Sequence, residues 1–160
     1  MSRFYPTAEF AEDQPLSRTI LTTHVLSRGF ELGSAIGLVD LSARALNKRQ
    51  SPAALSLLRS AATGGAVGTA IVGIGLIGRM WGREEIEWKD RSWRLRNNQG
   101  QVAIDNWSEP AAVLGAAAAA SGYLAGPAGW RGLVGGAGVG SLLGVVGCMC
   151  VTTILPSKKD

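Results

Sequence analysis

The chain has 160 residues, a formal net charge of +4 and 22 glycines, and only 18% of its residues are charged, against about 25% in ordinary soluble domains. That length suits one domain rather than two. Its basic residues are dispersed among acids, which gives no case for nucleic-acid binding.

Charge is absent from three long runs: between Arg59 and Arg79, between Glu109 and Arg131, and between Arg131 and Lys158. Uncharged apolar runs of about 20 residues are long enough to cross a bilayer as helix. The expected fold class is therefore all-α: a polytopic membrane protein with four Gly/Ala-rich transmembrane helices in two hairpins. A soluble bundle would need a polar face on every helix, and residues 132–155 offer only Ser141, Thr152 and Thr153 for one.

In chain order, residues 1–14 read as a polar arm containing Glu9, Glu12 and Asp13. It fits neither a secretory signal nor an Arg-rich mitochondrial presequence, so any address is expected in the spans themselves. A membrane domain follows over 15–155. Its first span, about 16–47, reads as one long helix, and "NKRQSP" then supplies a loop with Pro52 suited to the first turn of the next helix. The second span is about 53–78, with Arg59 close enough to its start to snorkel to the headgroups.

Residues 79–109 form a charged segment outside the membrane. Glu85 with Lys89, Glu87 with Arg91, and Asp90 with Arg94 stand four apart, acid before base, the favourable order on a helix. The second span is thus expected to leave the membrane as a charged helix that ends before "NNQG". Trp81, Trp88, Trp93 and Trp107 punctuate the segment as interfacial or partner contacts, with Trp81 and Trp107 suited to the aromatic belt at the membrane exits. The third span, about 110–126, is built from very small residues. "PAGWR" makes a tight connection to the fourth, about 132–155, and residues 156–160 are a polar tail. Cys148 and Cys150 are two apart on a helix and point to different sides, which disfavours a disulfide. His24 is the only histidine and lies far away in sequence, so no metal is expected.

Glycines recur every fourth residue at Gly29, Gly33 and Gly37 and again at Gly136, Gly140 and Gly144, with pairs at Gly64 and Gly68 and at Gly122 and Gly126. In water each would cost a helix roughly 1 kcal/mol relative to alanine. In lipid, apolar burial does not drive helices together, and small residues at this spacing let two backbones approach closely. These ten glycines are the expected helix-packing residues.

Arg28, Glu31 and Asp40 are the charges expected within the membrane. A charge near the bilayer centre costs a few kcal/mol and needs a partner or water. Helical spacing puts His24, Arg28 and Glu31 on roughly one face, where Arg28 and Glu31 could pair. The readings that stay open are a polar track for protons, ions or a translocating chain, and a structural ion pair or charges that lie at the interface because the span is 29–47.

The sequence holds no nucleophile beside a base, no metal-ligand cluster, and no phosphate-binding glycine loop after a strand. No catalytic, cofactor-binding or metal residue is expected, and no small-molecule substrate.

Four Gly-rich spans with small-residue lines, an acidic N-terminus and a charged central segment resemble a mitochondrial inner-membrane superfamily. It includes the presequence and carrier translocase subunits and a four-span accessory subunit of respiratory complex I. "FYPTAEFAEDQPLSRTILTTHVLSRGF" and "WKDRSWRLRNNQGQVAIDNWS" are also similar to a fungal family of small membrane proteins. The resemblance implies a multi-pass protein of the mitochondrial inner membrane. Its expected role is a non-catalytic accessory subunit of complex I (NADH:ubiquinone oxidoreductase) that stabilises or assembles the membrane arm. Integral membrane subunits and phospholipids would be its partners. A component of an inner-membrane protein translocase or pore, with Glu31 and Asp40 facing a hydrated groove, is the alternative. Orientation stays open: the termini and middle segment hold more Lys and Arg in total, which favours that side as the matrix or cytoplasmic face, whereas the same resemblance places the basic first loop, with Arg44, Lys48 and Arg49, in the matrix.

Overall fold

The computed structural model describes residues 5–49, 53–121 and 129–154. Among these residues there are five α-helices and no strand, preceded by one 3-10 turn at Ala11–Asp13. The helices are α1 (Ser17–Asn47), α2 (Ala54–Met80), α3 (Glu85–Asn97), α4 (Gln99–Ala120) and α5 (Trp130–Ile154). α1 packs along α2 and α4 along α5, each pair antiparallel; α2 against α5 is the broadest contact between the two hairpins. α3 packs on α1 and carries the 3-10 turn of the N-terminal arm.

The all-α class holds, and the first span is one long helix within a residue of its expected start. The charged segment differs from expectation. It does not continue α2: that helix stops at Met80, Trp81 is extended, and Gly82 takes φ +69° before α3 begins at Glu85. Glycine reaches this left-handed region without the clash a Cβ would bring, so the break falls where the sequence permits it. α3 can stand alone because Glu85 and Glu87 lie in its first turn and Arg94 and Arg96 in its last, both complementing the helix dipole. Of the three ion pairs expected along it, Asp90–Arg94 forms, at 3.0 Å. Glu87 instead meets Arg83, and Glu85 turns to Ser17 and Arg18 of α1.

"NNQG" does end α3, but it also starts the next helix. The side chain of Asn98 accepts a hydrogen bond from the Gln101 amide at 3.2 Å, capping one of the orphan donors of a helix N-terminus. α4 therefore begins at Gln99 and runs through Pro110, which had been expected to open the span. Pro52, Gly122 and Gly126 lie outside the described residues.

The packing is inverted relative to a soluble core. The buried positions are dominated by glycine, alanine and serine, with Ile20, Leu58 and Met80 the few larger apolar ones. The large aliphatic side chains point outward instead, among them Ile36, Val67, Ile74, Val113 and Leu143. Contiguous exposed apolar surface of this kind marks a lipid or partner contact. α2 and α5 are long and apolar enough to cross a membrane, and only 17% and 39% of their apolar windows are buried. α1 and α4 also have the length, roughly 45 Å and 33 Å at 1.5 Å per residue. Their sequences are interrupted by Arg28, Glu31 and Asp40 in α1 and by Asp105 and Glu109 in α4.

Candidate functional site

Two kinds of contact hold the helices together, one uncharged and one charged. In the first, Gly29, Gly33 and Gly37 of α1 lie against the backbone of Gly68, Gly64 and Ser60 of α2. A Cβ added to Gly33 would fall closer than 3.0 Å to the Gly64 carbonyl and to the Gly68 Cα, and one added to Gly64 would crowd Gly33 in return. The four-residue repeat of one helix meshes with that of the other because both repeats keep one face in register. In the second hairpin, Gly136, Gly140 and Gly144 of α5 meet Gly115, Ala111 and the backbone at Trp107 and Ser108. Gly135 and Gly138 join the hairpins by approaching the Leu58 backbone and the Ser34 hydroxyl. Ser34 is fully buried and donates to the Ala61 carbonyl at 3.1 Å. Gly115, Gly135, Gly138 and Ser34 carry no mark in the sequence because none of them stands four residues from a glycine.

The charged contact centres on Arg28. One guanidinium nitrogen donates to Glu31 Oε2 at 2.5 Å and another to Asp105 Oδ1 at 2.5 Å. Asp105 Oδ2 stands 3.2 Å from His24 Nδ1; an ionised carboxylate only accepts, so Nδ1 carries the hydrogen of that contact. Glu31 and Asp105 are each 8% exposed. His24, Arg28 and Glu31 share a face of α1, as their spacing requires, while Asp105 arrives from α4. Nothing in the local sequence marks it, since "VAIDNW" sits in a stretch whose polarity reads as loop. The depth of the cluster follows from α1. Thr22 lines a groove with Met80 and Trp81 at the end of α2, and Glu31 lies roughly 10–15 Å further along the helix.

Asp40 does not join the cluster. It pairs with Arg44 at 2.9 Å, exposed, toward the far end of α1. Nine residues of helix turn Glu31 and Asp40 to opposite sides, so the two carboxylates do not line a common groove.

On the α3 side, the aromatic residues divide. Trp81 is exposed at the end of α2, and Trp107 is partly exposed with its ring over Gly147. Trp88 and Trp93 instead contact the chain itself. Arg18 sits 5.7 Å from the Trp88 ring centre, within cation–π range, and the Trp93 indole donates to the Ala8 carbonyl at 3.1 Å. Lys89 and Arg96 complete the attachment of the arm: Lys89 donates to the Glu12 carbonyl, and Arg96 to the Tyr5 carbonyl and the Thr7 hydroxyl. Glu85 is held below the ordinary carboxylate range, chiefly by the Ser17 hydroxyl that donates to it; desolvation comes next and opposes the shift, and Arg18 and Lys89 reinforce it. Cys148 is buried and Cys150 exposed on α5.

Over residues 2–147 the chain matches the family described as "Protein of unknown function (DUF1757)", and it belongs to that family. No curated protein and no solved structure matches it.

Proposed function

We propose that this DUF1757 member is a four-span protein of the mitochondrial inner membrane and a non-catalytic accessory subunit of respiratory complex I. One observation carries the proposal: large apolar side chains face outward along α1, α2, α4 and α5 while glycine, alanine and serine fill the interior. A helix pair of that kind is stable where its surroundings are as apolar as leucine, because close backbone contact rather than burial then drives association. α1 and α4 can enter the membrane with α2 and α5 because the inward Arg28 of α1 pairs with Glu31 and with Asp105 of the facing helix. The helices use their inner faces on each other, which leaves the outer apolar faces for neighbouring subunits and lipids. Trp81, Trp107 and the charged surface of α3 would then contact a partner at one membrane face.

Carbonate extraction and blue-native electrophoresis of mitochondria test this. The chain should stay in the membrane pellet and comigrate with complex I, and its removal should weaken membrane-arm assembly. Release by carbonate would end the membrane assignment; retention with comigration in a smaller translocase would end the complex I assignment alone. The alternative of a pore with Glu31 and Asp40 on one hydrated groove gains no support from residues that point to opposite sides of α1.

A further inference from the structure

The charged cluster is more than a tie between helices. Arg28 supplies one positive charge to the two carboxylates of Glu31 and Asp105, which leaves one negative charge in excess whenever His24 is neutral. A proton on His24 removes that excess, and it would sit 3.2 Å from Asp105. A buried cluster in apolar surroundings strongly favours charge balance. The other charged group near this contact, Arg96 of α3, lies beside the half-buried Tyr5 of the arm, and Glu109 is one turn beyond Asp105 on α4. α5 brings no charge between Arg131 and the end of its described length.

The proton also has a route. A cavity of about 10 Å³ lies among His24, Asp105, Ile20 and Val102, with Tyr5 and Arg96 also in its wall. That is room for a single water with polar partners at hand. Arg96 fastens the arm there through the Tyr5 carbonyl. Deeper along α4, the fully buried Ser108 hydroxyl and the Arg28 Nε have no hydrogen-bond partner among the described residues. Both are polar atoms that a bridging water would satisfy.

We infer that His24, Asp105, Arg28 and Glu31 form a proton-binding site entered from the α3 side through a one-water cavity beneath the N-terminal arm. One proton is taken up on the free imidazole nitrogen of His24. The positive charge this creates faces Asp105, and the cluster becomes neutral. No through-path is implied, because the Gly29–Gly33–Gly37 seam closes α1 against α2 beyond this level. The inference is independent of which assembly the chain joins.

The chain contains one histidine, so ¹⁵N-histidine NMR of the full-length protein in nanodiscs reports this site alone. The imidazole of His24 should show one protonation step as pH is varied. Its half-protonation point should move to lower pH in Asp105→Asn and in Glu31→Gln, and to higher pH in Arg28→Gln, which raises the excess negative charge. The opposite signs separate a proton site from a merely structural role, and Glu31→Gln serves if either of the other variants does not fold. Arg96→Ala, which loosens the arm, should speed solvent exchange of the imidazole N–H. A His24 that keeps one protonation state at every pH at which the protein stays folded, or variants that titrate as the parent does, would overturn the site. Unchanged exchange in Arg96→Ala would overturn the entrance.

Discussion

Within the α1–α2 hairpin, three glycines of one helix lie on two glycines and a serine of the other, backbone on backbone. Between α1 and α4 the joint is made of charge: Arg28 reaches Asp105 across the gap between hairpins, and few backbone contacts accompany it. The first contact is a sum of small dispersion terms and is forgiving of the medium. The second is a buried ion cluster, in which breaking a pair leaves an uncompensated charge. A seam without side chains can only be overfilled, whereas a joint of charges can only be left unbalanced. The two regions should therefore fail differently.

The largest loss should come from the joint. Arg28→Gln leaves Glu31 and Asp105 buried without a counter-charge and should destabilise the detergent-solubilised protein by about 3–5 kcal/mol, read from thermal unfolding by circular dichroism. A triple variant that also carries Asp105→Asn and Glu31→Gln should recover part of that loss; no recovery would show that the guanidinium matters for packing alone.

Next is the seam. Gly33→Ala places a Cβ against the Gly64 carbonyl and should cost about 1–3 kcal/mol through overpacking. Gly75→Ala is its control: a Cβ there meets nothing within 4 Å, so the change should be neutral or stabilise by about 0.4–1 kcal/mol. Equal effects at the two positions would mean that helix propensity, not close approach, explains the glycine repeat.

Smaller still is the surface of α3. Asp90→Asn removes an exposed pair with Arg94 and should change stability by less than about 0.5 kcal/mol. The pH dependence of the α1–α3 contact runs through Glu85. Its folded value is depressed below 4.5, so its contribution is present in full above that value and fades as pH falls through the folded one. Ser17→Ala removes the main cause and should flatten this acid-side dependence, measured by Trp88 fluorescence; an unaltered profile would assign the acid transition to another carboxylate.

How much was legible beforehand depends on the range of the interaction. The four-residue repeats at Gly29 and Gly136 announced flat helix faces, and the uncharged runs announced α2 and α5, because helix periodicity is a local property. The end of α3 was legible at "NNQG", yet the same residues also cap α4, so that helix starts about ten residues before the third span expected at 110. Gly82 was an unmarked glycine among charges until its positive φ showed why α2 could not continue.

What the sequence by itself determined is which side chains share a face: glycines with glycines on α1 and α5, and His24 with Arg28 and Glu31 along one line of α1. Only the tertiary structure decided which faces meet. Asp105 lies 77 residues from Arg28, and no local pattern can specify a partner at that distance. The pairing exists because the two hairpins close on each other, and closure is fixed by where every small residue lets a backbone come near.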